Sequence, residues 1–269
     1  MAVSTGSFYD LDIPTEDAIG RIADMGVRDA EVFLQSPAEA EPAFVRDLAR
    51  RCEASGVRVG SVHPYVFGFE NLLYTVYSRQ REWATDQYRR YLDVCAELGA
   101  PHYVCHGPPR HHAMRGGRLG DAYRERTAAL ADLAARRGVV YCMENVSYGL
   151  VSDVDDMAAH LRGLDVPFVL DFKSAWKAGP GPEPFIDRFG DRLLFAHVSF
   201  NDRPGGRFGV CAPGGALGPE EASALRAFRS GAANPRMVLE LCEASSVADV
   251  AMSVEAVRCW VECAQRSEQ

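Results

Sequence analysis

Six short apolar runs in this chain each end in an ionisable side chain: VGSVH at His63, YVCH at His106, VVYCME at Glu144, PFVLD at Asp171, LLFAH at His197 and MVLE at Glu240. Carboxylates and imidazoles move protons near neutral pH and ligate divalent ions. A short apolar run reads as a strand buried on both faces, and a polar residue at its carboxyl end is where a parallel barrel keeps its chemistry. Glu144, Asp171, His197 and Glu240 end four successive strands, so in a closed barrel their tips converge. Three carboxylates that close repel by several kcal/mol, roughly, unless a cation sits among them. Oxygen ligands with one nitrogen suit Mn2+, Mg2+, Co2+ or Zn2+. Taken singly, each residue has a plainer alternative, which is to cap the helix that follows its strand.

The elements that must position these residues follow from alternating periods. A strand over Ala2–Phe8 precedes a helix from Pro14 that ends at Gly26, and AEVFL is followed by the helical AFVRDLARRCEASG. Strand VRVGSVH leads through a Phe/Tyr-rich loop to a helix from Ser78 to Leu98. After strand HYVCH comes the loop GPPRHHAMRGG, and then DAYRERTAALADLAARRG, VVYCME, DVDDMAAHLRGL and PFVLD alternate helix with strand. Only PEPFIDRFG is available as a helix between Asp171 and LLFAH. A Gly/Pro-rich loop from Asn201 to Pro219, a helix from Glu220 to Ser230, strand MVLEL and the helix SVADVAMSVEAVRCWVECA complete the series. Eight such units predict one α/β domain over residues 1–269, a (β/α)8 TIM barrel, in preference to an open doubly wound sheet.

Composition bounds the partners. A net charge of -8, with no compensating basic stretch, argues against nucleic acid or an anionic membrane surface as partner. The absence of a signal-like start or a long apolar run leads to the expectation of a cytoplasmic protein acting on a small molecule; a homo-oligomer is compatible with this. The eight cysteines form no CxxC pair and fall mostly in apolar elements, so buried thiols are expected rather than disulfides or a thiolate zinc site.

The ordered series resembles the xylose-isomerase-like barrel superfamily, which includes sugar isomerases and epimerases, inosose dehydratases, hydroxypyruvate isomerase and zinc-dependent apurinic endonucleases. It is carried by Glu144–Asn145, Asp171, the stretch from His197 to Asp202, the PGGALG loop (Pro213–Gly218) and Glu240. The resemblance implies one divalent metal held by Glu144, Asp171, His197 and Glu240, with Glu144 and Glu240 as general base and acid in proton transfer through a metal-stabilised enediolate. It implies substrate contacts at Arg203, six residues after His197, and at His63 and His106, which match histidines that bind additional zinc in the endonucleases and substrate in the isomerases. His111 and His112, beside Arg110 and Arg115, read as a lid or as solvent-exposed. Phe8, Tyr65, Phe67, Phe69 and Trp176 are candidates for the pocket wall.

Departures narrow the reading. Lys173–Ser174 stands where the epimerases and endonucleases have a His three residues after the strand-six Asp, and Arg207–Phe208–Gly209 stands where the endonucleases have Asp-Arg-His. These losses remove ligands of a three-zinc cluster and, with the acidic charge, point away from DNA cleavage. Leu150 replaces a second epimerase Glu, so substrate positioning differs; Lys173 can serve as hydrogen-bond donor, partner of Asp171 or base. The leading expectation is a metal-dependent isomerase or epimerase on a hydroxy-carbonyl compound: a sugar, keto-acid or cyclitol. A dehydratase or lyase using the same enolate, a non-catalytic accessory barrel and a metal-dependent oxidative enzyme are the alternatives.

Overall fold

A computed structural model describes residues 1–64, 69–108, 110, 118–179, 181–202, 207–209, 217–242 and 244–267. Its centre is a closed barrel of parallel strands: β1 (Ala2–Ser4), β2 (Asp29–Phe33), β3 (Arg58–His63), β4 (His102–Cys105), β5 (Val140–Glu144), β6 (Phe168–Asp171), β7 (Leu193–Val198) and β10 (Arg236–Leu239), the last pairing back onto β1. The expected TIM barrel is therefore present. Between β7 and β10, β8 (Phe200–Asp202) and β9 (Arg207–Gly209) form an antiparallel pair inside the segment read as a loop.

Ten helices are described: α1 (Thr15–Asp24), α2 (Pro42–Ser55), α3 (Phe69–Leu73), α4 (Ser78–Glu97), α5 (Arg118–Ala135), α6 (Val154–His160), α7 (Phe172–Ala178), α8 (Glu183–Phe189), α9 (Pro219–Gly231) and α10 (Val247–Ser267). Gly26 and Gly56 follow α1 and α2 at φ +72° and +63°, the left-handed geometry that lets a helix stop without a Cβ clash. None of the described helices is long and apolar enough to cross a membrane.

Side-chain alternation separates two apolar layers. Residues such as Val3, Ala30, Val32, Tyr103, Leu170 and Leu239 face outward into the main core beneath the helices. Ala2, Val104, Cys142, Val169, Phe195 and Val238 face inward and plug the barrel. Burying a side chain such as Phe195 is worth about 1.5–3 kcal/mol. One pleat period of two residues above this plug stand His106, Glu144, Asp171, His197 and Glu240. The apolar layer therefore forms the floor on which the polar layer rests.

Three elements differ from the sequence reading. The first strand stops at Ser4, where the Ser4 hydroxyl caps a 3-10 helix over Thr5–Leu11. The Phe/Tyr-rich loop contains α3. Two helices, α7 and α8, occupy the interval for which one was expected; α7 begins directly at the strand end because Asp171 caps it through the Ser174 N–H.

Candidate active site

The strand ends converge as their spacing requires. Glu144, Asp171, His197 and Glu240 present ligand atoms that all lie within 4.8 Å of one another. Glu144, Asp171 and His197 are buried and Glu240 is nearly so. His197 Nδ1 lies 2.8 Å from Glu144 Oε1 and 3.5 Å from Glu240 Oε2. Neighbouring tips are stitched by Asn145: its Oδ1 accepts from the Asp171 N–H at 2.7 Å and its Nδ2 donates to the Asp171 carbonyl at 3.0 Å. The helix-capping alternative for Asp171 is also realised: Oδ1 caps α7, while Oδ2 lies 3.9 Å from Lys173 Nζ.

A second group shares Glu144. His63 Nε2 and His106 Nε2 lie 3.3 and 3.1 Å from Glu144 Oε2 and 3.1 Å from each other, and His63, His106 and Glu144 form another set of close ligand atoms. Gly107, at φ +74°, turns the chain out of the strand immediately after His106. His63 Nδ1 is 3.1 Å from the Pro64 carbonyl. His106 Nδ1 is 2.9 Å from Glu70 Oε2 and 3.0 Å from the Tyr148 hydroxyl.

Two carboxylates of this assembly were absent from the sequence reading. Glu31 projects inward from the middle of β2 and is fully buried; its Oε2 accepts from Ser61 at 2.8 Å and faces His197 Nε2 at 3.1 Å. A register shift brings Ser61 opposite Glu31 by skipping Gly60 between Val59 and Ser61. The readable signal was a charged residue inside the otherwise apolar AEVFL. Glu70, buried on α3, had no such signal, because the helix itself was not foreseen.

Charge states follow from this crowding. Burial opposes ionisation of Glu144, but His197, His106 and His63 outweigh it and hold the carboxyl well below its usual range. Burial likewise opposes the charged form of His197, yet Glu31, Glu144 and Glu240 raise its pKa well above that of a free imidazole. His106 rises to about 10 against burial through Glu70 and Glu144. Burial pushes Asp171 up to about 6; Lys173 works against this, and Glu144 and Glu240 add to it. The two neighbouring carboxylates oppose ionisation of Asp171, and a divalent cation among the three would favour it. The donor set of three carboxylates and one imidazole thus fits such an ion chemically.

Above the polar layer opens a cavity of about 330 Å³. That is within the range of small-molecule sites, roughly 300–1,000 Å³. Tyr9, Phe33, Gln35 and Tyr148 contribute to its wall, together with Lys173, Lys177 and Ser174 from α7. The expected aromatic wall is corrected: Phe8 and Phe69 belong to the core because 3-10 and α3 geometry turns them inward, and Trp176 packs against that core. Tyr65 and Phe67 lie outside the described residues, as do Arg203, His111, His112, Arg115 and most of the PGGALG loop. Lys173 Nζ lies 4.0 Å from Glu240 Oε2 and 3.0 Å from Cys242 Sγ, which places one cation among the acidic strand tips.

The profile of the family described as xylose isomerase-like TIM barrel matches residues 19–258. The chain belongs to this family. Solved structures agree on the xylose isomerase-like fold. A D-tagatose 3-epimerase-like protein superposes with TM-score 0.76 at 14% identity, covering 100% of this chain and 99% of its own. An L-ribulose 3-epimerase gives 0.77 at 12%, covering 100% and 96%. A protein described as the probable 3-DHS dehydratase AsbF from Bacillus anthracis gives 0.73 at 11%, covering 96% and 98%. No curated protein matches this member of the family in sequence.

Proposed function

We propose that the chain is a divalent-metal-dependent isomerase or epimerase of a hydroxy-carbonyl small molecule: a sugar, keto-acid or cyclitol. The observation that carries this reading is the clustered Glu144, Asp171, His197 and Glu240 set, whose three carboxylates line a cavity of small-molecule size. These four residues would hold Mn2+, Mg2+, Co2+ or Zn2+. The bound ion supplies Lewis acidity toward a substrate carbonyl oxygen and so lowers the pKa of the adjacent C–H. Glu144 and Glu240 both line the cavity and come from the two outer strands of the set, β5 and β10, so the two carboxylates exchange the substrate proton as acid and base. Lys173, His63 and His106 line the same cavity and orient substrate oxygens by hydrogen bonds. Arg203 is proposed as a further substrate contact from its spacing to His197. The fold shared with an L-ribulose 3-epimerase and a D-tagatose 3-epimerase-like protein supports the isomerase reading.

The dehydratase neighbour supports a second outcome from the same proton abstraction, expulsion of a β-hydroxyl. One experiment separates the readings. Purified protein reconstituted with each ion is incubated with ketoses, hydroxy-keto acids and cyclitols in D2O, and deuterium beside the carbonyl is followed by NMR. Deuterium in an isomerised product, lost in Glu240→Gln, supports the isomerase; an unsaturated product supports the lyase. No exchange and no turnover with any ion and any substrate class would overturn both.

A further inference from the structure

Each histidine of the site has one nitrogen on Glu144, and what the other nitrogen meets differs. For His197 it is Glu31, three strands round the barrel with β10 and β1 between, pointing inward from β2 below the cavity and not lining it. Glu31 is 0% exposed, and its Oε2 is held by Ser61 at 2.8 Å while facing His197 Nε2 at 3.1 Å. Its other oxygen, Oε1, has no hydrogen-bond partner among the described residues. A buried carboxylate oxygen without a partner is costly, so the carboxylate is kept at this position by what its other oxygen meets, Ser61 and His197.

An imidazole can offer a lone pair through Nδ1 only when its remaining proton sits on Nε2, and an acceptor at Nε2 selects that tautomer. Ligating histidines generally have such an acceptor behind them, which fixes the ring's tautomer and orientation and raises its basicity. Here the ring is clamped on both sides: Glu144 and Glu240 lie at Nδ1, and Glu31 lies at Nε2. The register shift that sets Ser61 opposite Glu31 fixes the carboxylate in turn. We infer that Glu31, held by Ser61, is a positioning residue for ion binding: it keeps the proton of His197 on Nε2 and leaves Nδ1 free to ligate. This rests on the proposed function, because it concerns the same ion.

The test is the affinity of the full chain for Co2+ and Zn2+ by calorimetry, in wild type, Glu31→Gln and Ser61→Ala. Gln fills the same volume without the negative charge. Glu31→Gln is expected to weaken both ions about 10–100-fold. Ser61→Ala should shift affinity several-fold in the same direction. Long-range 1H–15N spectra of the Zn2+-loaded protein should show His197 protonated at Nε2 in wild type, with that proton's resonance displaced in Ser61→Ala, a readout that is available even if Glu31→Gln does not fold. Affinities of both variants within twofold of wild type, or a His197 proton on Nδ1 in the loaded protein, would overturn the inference and leave the proposed function standing. A wild-type chain that binds neither ion would overturn both.

Discussion

Lowering the pH from 8 to 5 should weaken divalent-ion binding in two stages, each set by a group whose proton the ion must displace. In the ion-free chain His197 lies between Glu31, Glu144 and Glu240, which raise its pKa well above the free value and favour a second proton on the ring. An ion taking Nδ1 expels that proton, and affinity falls tenfold per pH unit, about 1.4 kcal/mol. Asp171 titrates at about 6 because of its burial and its acidic neighbours. Below that value the ion must expel a second proton, and the slope doubles. From pH 8 to 6 the loss is roughly 200-fold, and from pH 6 to 5 roughly 50-fold more. The sum is on the order of 10,000-fold, or about 5.5 kcal/mol. Mn2+ calorimetry in buffers of different ionisation enthalpy counts the protons directly: about one released at pH 8, about 1.5 at pH 6 and nearly two at pH 5. In Asp171→Asn the count should stay near one. Release of no proton at pH 8 would refute the charge assignment of His197. A stoichiometry of two ions, with the His106 proton released as well, would move ligation onto the His63, His106 and Glu144 set.

Two further outcomes follow from named contacts. Lys173→Met removes the cation that lines the cavity beside Asp171 and Glu240, and the loss of one charged hydrogen bond to substrate, about 1.5–3 kcal/mol, should raise KM at least roughly tenfold with a smaller change in kcat; unchanged kinetics would remove Lys173 from the substrate contacts. His160 is buried and 2.9 Å from the Thr127 hydroxyl, and burial, with Arg124 adding, depresses its pKa to about 4. The unfolded chain therefore takes up this proton first, so the contribution of His160 to stability is complete above about pH 6.5 and declines by about 3 kcal/mol as pH falls toward 4. Urea unfolding of wild type and His160→Gln with a chelator present should diverge over that window; parallel curves would contradict it.

What was legible in the sequence was set by periodicity. A buried parallel strand shows as an apolar run, and the residue two positions beyond the inward plug shows as its polar end, which is why Cys142–Glu144, Val169–Asp171 and Phe195–His197 could be read directly. Glu31 escaped because it sits within its strand rather than at the end, although a charge in AEVFL flanked by outward Ala30 and Val32 was a usable sign of an inward position. Helix α7 escaped because Asp171 is at once a strand end and a helix cap, with no linker to separate the two signals. Glu70 depends on how α3 packs against β4, a tertiary fact without a local pattern.

The proposed function stands on Glu144, Asp171, His197 and Glu240 holding a divalent ion. Crystals grown with Mn2+ and measured at its absorption edge test this directly. One anomalous peak within ligating distance of all four side chains is expected; a peak elsewhere, or Mn2+ saturation with no peak among the four, would refute the ligand set.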